Sequence, residues 1–137
     1  MAVRHEPNNG DVWQEWARFE GRQANARRQV ELLIRAAESQ PENIALNSHA
    51  AFRIAYLISN NRGDYPIAER GLWTASVKRN LEERFDQLEP SPLARLGWLY
   101  YLENDRRNAE RCARQGLTLE PGHEHCGNIL KRMSIPR

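Results

Sequence analysis

The feature that most constrains this chain is a helical rhythm cut at intervals by proline, glycine and asparagine. From Asp11 to about Arg132, apolar residues recur every three or four positions. No stretch alternates apolar and polar residues as a half-buried strand would. An all-α chain is predicted, and its breaks divide it into seven helices. Asn8-Asn9-Gly10-Asp11 caps the first, Gly21 to Asn25 separates it from the second, and Pro41-Glu42-Asn43 closes the second. Asn60-Asn61-Arg62-Gly63-Asp64 stands between a third helix and a fourth that enters through Pro66. Pro90 and Pro92 set the start of the fifth, because proline suits a first helical turn and stops what precedes it. Asn104-Asp105 divides the fifth from the sixth and Pro121-Gly122 ends the sixth. A short seventh runs from about Glu124 to Met133.

The chain has 137 residues, 40% of them apolar, enough for one domain with a buried core. Twenty basic and 18 acidic side chains leave a formal net charge of +2, far from the excess of a dedicated nucleic-acid binder, which argues against that partner. No uncharged apolar run approaches the roughly 18 residues of a membrane span, and MAVRHEPNNGDVW has no apolar signal core. The expectation is a cytoplasmic protein with no membrane contact. Cys112 and Cys126 build no disulfide framework, which agrees with a reducing compartment.

Catalytic patterns are missing from the sequence. There is no Gly-rich phosphate loop, HExxH or GxSxG, and Glu82, Glu83 and Asp86 read as the charged face of a long helix. His123, His125 and Cys126 are residue types that zinc accepts, but side chains from such adjacent positions cannot all converge on one ion. The reading is therefore of a non-enzyme with no cofactor and no metal.

What remains is a packing code. Leu93, Leu96, Gly97 and Tyr100 mark the fifth helix, Ala109, Ala113 and Gly116 the sixth, and Pro121 the end. Gly97 lets two helices approach closely, and the apolar stripes of a single pair stay uncovered until neighbouring pairs stack on them. This spacing closely resembles the tetratricopeptide repeat, a helix-turn-helix unit of about 34 residues. A ruler of the same spacing laid from His49 places Phe52, Ala55, Tyr56 and Ser59 in the first helix and Ala68, Leu72 and Ala75 in the second. Laid from Gly10 it takes in Trp13, Trp16, Ala17, Leu33, Ala36 and Pro41. The implied organisation is an N-terminal tail over 1–9 and one domain over 10–137. Repeats fall at about 10–43, 49–82 and 90–123, with a capping helix over 124–134.

The resemblance implies a right-handed α-α superhelix of about three antiparallel helix pairs plus the capping helix. Ile129 and Leu130 would cover the last repeat while Lys131 and Arg132 face water. It also implies a protein-protein interaction module or scaffold, or an arm of a larger signalling or assembly protein, that binds an acidic or mixed peptide or partner protein in a concave groove. The groove places are held by Gln14, Arg18 and Arg22, then by Arg53, Leu57, Asn60 and Asn61, then by Arg95, Trp98, Tyr101 and Leu102. The family's chaperone-tail clamp is not reproduced, since Ser91, Gln14 and Ile54 stand at its places. The run Trp13 to Glu20 also resembles the half-repeat family of RNA-processing scaffolds, and Arg18, Arg22, Arg27 and Arg28 lie close to it. An RNA-associated scaffold is thus one alternative, and homo-oligomer formation through end surfaces is another.

Overall fold

The computed structural model describes residues 26–60 and 67–134. Gln14, Arg18, Arg22 and Asn61 lie outside the described residues, as does the first of the expected helices. The described residues form six helices and no strand: α1 (Ala26–Ser39), α2 (Ile44–Asn60), α3 (Ile67–Glu82), α4 (Pro90–Leu102), α5 (Arg106–Leu119) and α6 (Glu124–Ser134). A 3-10 turn over Phe85–Gln87 joins α3 to α4. Packing runs between helices adjacent in the chain and between helices one further apart, including α1 with α3, α2 with α4 and α4 with α6. Among the described residues no helix is long and apolar enough to cross a membrane.

The breaks have identifiable causes. Between α4 and α5 the Asn104 N–H donates to the Tyr101 carbonyl at 3.0 Å and the Asp105 N–H to the Tyr100 carbonyl at 2.9 Å. Asn104 takes φ 64°, the left-handed position that such a helix end demands and that asparagine tolerates. Asp105 then caps α5, accepting from the Asn108 N–H at 3.2 Å. The turns at Pro41 and Pro121 share one design. The Asn43 N–H donates to the Gln40 carbonyl at 3.1 Å, and the His123 N–H to the Glu120 carbonyl at 3.0 Å. Asn43 Oδ1 caps α2 by accepting from the Leu46 N–H at 3.0 Å. His123 Nδ1 caps α6 by accepting from the Cys126 N–H at 3.4 Å. Its Nε2 lies 3.4 Å from Ser91 Oγ. In this respect α6 stands to α5 as α2 stands to α1.

Small residues bring the helices together. A Cβ added at Gly97 would meet Ile129 Cδ1 of α6 at 3.0 Å and Cys112 Cβ of α5 at 3.3 Å, and one at Gly116 would meet Cys126 Sγ at 2.3 Å. The close approach read from Gly97 is present, and Cys112 and Ile129 form its other wall together with Ala109. Between α1, α2 and α3 the apolar core includes a buried amide network. Buried Asn80 donates from Nδ2 to the Ala37 carbonyl at 3.2 Å and to Asn47 Oδ1 at 3.0 Å. Asn47 Nδ2 in turn donates to the Gln40 and Asn43 carbonyls at 3.1 and 2.9 Å. Each amide is satisfied, so the burial is tolerable. At the other end of α3, Arg70 Nη1 donates to the Leu102 carbonyl at 2.9 Å and Thr74 Oγ1 to Glu103 Oε2 at 2.6 Å.

The second repeat departs from the ruler laid from His49. Phe52 is 46% exposed, Tyr56 54% and Leu72 77%, and Ser59 and Ala75 are also exposed. α2 instead buries Leu46, Asn47, Ala50, Ala51, Ile54, Leu57 and Ile58. Asn47, Ala50, Ala51 and Ile54 have the same spacing as Leu93, Leu96, Gly97 and Tyr100, so fully buried Ala51 holds the small place expected of Tyr56. The reason is the starting point: Ala51 and Gly97 both stand eighth in their helices, and His49 lies five residues after the first residue of α2, Ile44.

Candidate functional site

The inward stripe of α2 fixes what faces outward. With Ala51, Ile54 and Ile58 turned into the core, Phe52 and Tyr56 fall one helical turn apart on the opposite side. They form one wall of an open groove of about 340 Å³, together with Ala55, Ser59 and Asn60 of the same helix. Trp98 and Leu102 of α4 form the other wall, and Arg132 of α6 closes it. Alternate helices of the chain thus share one face, as the packing of α2 on α4 and of α4 on α6 requires.

Guanidinium groups lie over the rings of this groove. Arg95 sits 5.1 Å from the Phe52 ring centre and donates from Nη1 to Ser48 Oγ at 3.1 Å. Arg53 lies 5.7 Å from the Tyr56 ring centre and Arg132 lies 5.2 Å from that of Trp98. Tyr101 meets Trp98 edge to face, with 5.3 Å between centres and 89° between planes. Such cation-π contacts are each worth about 0.5–1 kcal/mol at exposed sites, enough to bias the orientation of a long side chain. No carboxylate pairs with Arg53, Arg95 or Arg132 among the described residues.

Of the residues expected from the sequence, Asn60, Trp98 and Leu102 line the groove, Arg53 and Arg95 stack on its rings, and Tyr101 supports Trp98. Leu57 does not belong: it is 8% exposed and sits in the core cluster, so it is a packing residue. Phe52 and Tyr56, packing residues by the displaced ruler, stand in the groove wall, while Arg132 is exposed as expected and lies over the Trp98 ring. The signal that would have found the first two is the stripe Asn47, Ala50, Ala51 and Ile54, which leaves the two large aromatics no place inside.

A second groove, of about 430 Å³, opens at the end of the structure between α5 and α6. Arg106, Glu110 and Arg114 line one side, and Leu130, Lys131 and Ser134 the other. Here Glu110 and the two arginines have polar partners. Arg114 Nε donates to Glu110 Oε2 at 2.6 Å, and the Arg106 guanidinium donates to the Met133 carbonyl.

The buried titratable groups are structural. Glu82 accepts from the Tyr100 hydroxyl at 2.5 Å and from the Arg111 guanidinium, which also lies 4.3 Å from the Phe85 ring centre. Burial raises the Tyr100 hydroxyl above its ordinary range, and the bond to Glu82 adds to the effect. Burial also pushes the Cys112 thiol up to about 12 and the Cys126 thiol up to about 11, which keeps both protonated and unreactive. The Cys126 thiol lies 3.7 Å from the Pro90 carbonyl, while the rings of His123 and His125 meet edge to face with 5.8 Å between centres. No cluster of metal-ligating side chains occurs among the described residues. Arg28, one of the basic residues of the RNA reading, pairs with Glu31 at 3.5 Å.

Comparison of the chain with protein-family models, with curated proteins and with solved structures gives no match.

Proposed function

We propose that the protein is a non-enzymatic interaction module that holds a peptide or a partner protein in the groove formed by α2, α4 and α6. The observation that carries this reading is the exposure of Phe52 and Tyr56 beside Trp98 in one open groove. Large aromatics left outside a core supply binding area at low entropic cost, and such residues dominate the energetics of protein interfaces. The helices also pack in the order expected of a tetratricopeptide-like right-handed superhelix, with alternate helices sharing a face. In such an architecture α2 and α4 are the first helices of successive pairs and line the concave side.

The test is capture of binding proteins by the intact chain, by a Tyr56→Ala, Trp98→Ala variant, and by a Glu110→Ala, Arg114→Ala variant of the end groove. A partner lost only with the first variant supports the reading. A partner retained by the first variant and lost by the second overturns it.

A further inference from the structure

We infer that the ligand of the α2–α4–α6 groove is an acidic peptide segment with an apolar anchor residue, and that Arg132 of the terminal helix supplies one of its anion contacts. The inference rests on the groove being the binding surface and adds the chemistry of its occupant.

Charge is segregated between the two sets of alternate helices. The charged residues of α2, α4 and α6 are Arg53, Arg95 and Arg132 at this groove, Lys131 at the other groove, and a single acidic residue, Glu124. Glu124 lies in the first turn of α6, two turns away from Arg132 in the last. The other helices mix their charges and pair them, as in Arg114 with Glu110 and Arg111 with Glu82. The groove therefore presents guanidinium groups with no carboxylate partner among the described residues, whereas Arg84, Arg111 and Arg114 each have one.

The rings determine how those groups are presented. A guanidinium lying over an aromatic face has its N–H groups directed outward in its own plane, the fork that matches a carboxylate. The Arg95, Arg53 and Arg132 guanidiniums lie 5.1, 5.7 and 5.2 Å from the ring centres of Phe52, Tyr56 and Trp98, and Arg95 also donates to Ser48 Oγ, so all three are kept at the groove. Between them Ala55, Leu102 and the Trp98 ring make an apolar floor. Carboxylates meeting the rim with an apolar side chain on the floor would satisfy both parts. Single-stranded nucleic acid fits less well. Its bases need open ring faces for stacking, and here the guanidiniums lie over one face of Phe52, Tyr56 and Trp98 while Tyr101 meets Trp98 edge-on.

The experiment is selection of a random twelve-residue peptide library on the full chain, followed by anisotropy titration of the enriched peptides. The expected result is enrichment of Asp and Glu around one Leu, Ile or Phe. Affinity should fall by about tenfold or more when Arg53→Gln, Arg95→Gln and Arg132→Gln are combined, and by a smaller factor for Arg132→Gln alone. Folding of each variant is checked by circular dichroism, and Glu110→Gln with Arg114→Gln serves as the control expected to bind normally. Enriched neutral or basic peptides that lose binding with Tyr56→Ala, Trp98→Ala would overturn the acidic class and keep the groove. Failure to enrich any peptide, or enriched peptides indifferent to every groove variant, would overturn the groove itself. Binding of a twelve-nucleotide oligouridylate that depends on the same arginines, with no acidic peptide enriched, would assign the groove to nucleic acid.

Discussion

The groove of α2, α4 and α6 and the groove between α5 and α6 are alike in size, about 340 and 430 Å³, and opposite in chemistry. In the first, rings are exposed and guanidiniums have no carboxylate among the described residues. In the second, Glu110 and Arg114 pair, and Arg106 bonds the end of α6. The turns at Pro41 and Pro121 explain the second. They are 80 residues apart and set equivalent helix pairs, α1–α2 and α5–α6. On the first pair α3 packs across both helices. Buried Val30 and Ala51 and partly buried Ile34 stand there, where the second pair has Glu110, Lys131 and Arg114. The positions that meet α3 on the first pair are thus charged on the second. A cavity's volume therefore says little about binding, and the state of its polar groups says more.

Four outcomes would sharpen or break this contrast. The largest concerns the aromatic groove. Phe52→Ala with Trp98→Ala should weaken a selected peptide by about 2 kcal/mol or more in titration, as loss of central aromatic anchors does. An unchanged affinity would erase the distinction between the grooves. Next is Gly97→Leu, which wedges α6 away from α4 through Ile129 and so disturbs the helix common to both grooves. A cost of about 1–3 kcal/mol is expected in thermal or chemical unfolding. Unchanged stability would mean that the close contact at Gly97 is absent.

The third outcome concerns the layer beneath α6. Cys112 has a folded-state value raised to about 12, so its contribution to stability is fully present below the ordinary thiol range and is lost as pH rises towards that value. Stability should therefore fall above about pH 9, by on the order of 1 kcal/mol per pH unit, and Cys112→Ala should reduce the slope. Tyr100, raised in the same direction, adds to the slope at still higher pH. The smallest effect belongs to the end groove. Glu110→Ala removes an exposed ion pair and should cost no more than about 0.5 kcal/mol, with peptide binding unchanged.

Much of this architecture was legible in the sequence because helix ends are written in local chemistry. Pro90, Asn104-Asp105 and Pro121-Gly122 each mark a boundary that the structure places at or beside them. Gly97 likewise announced a close approach, since only a missing side chain permits it there. The aromatic wall was less legible. A ruler taken from the third pair starts at the first residue of α4, but laid from His49 it starts five residues after the first residue of α2. Phe52 and Tyr56 then fell on packing places, and Leu57 on a groove place, although their burial is the reverse. The contact of exposed Arg132 with Trp98 was not legible, because the two are 34 positions apart in sequence and close only once α6 has folded back on α4.

The most direct measurement is a two-dimensional nitrogen-proton NMR titration of the full chain with a selected peptide. The Trp98 indole N–H, the side-chain N–H groups of Arg53, Arg95 and Arg132, and the outward positions Phe52 and Tyr56 should shift, while Glu110, Arg114 and Leu130 stay in place. Shifts confined to the α5–α6 groove, or absent from Trp98 and the three arginines, would contradict the assignment of the aromatic groove as the binding surface.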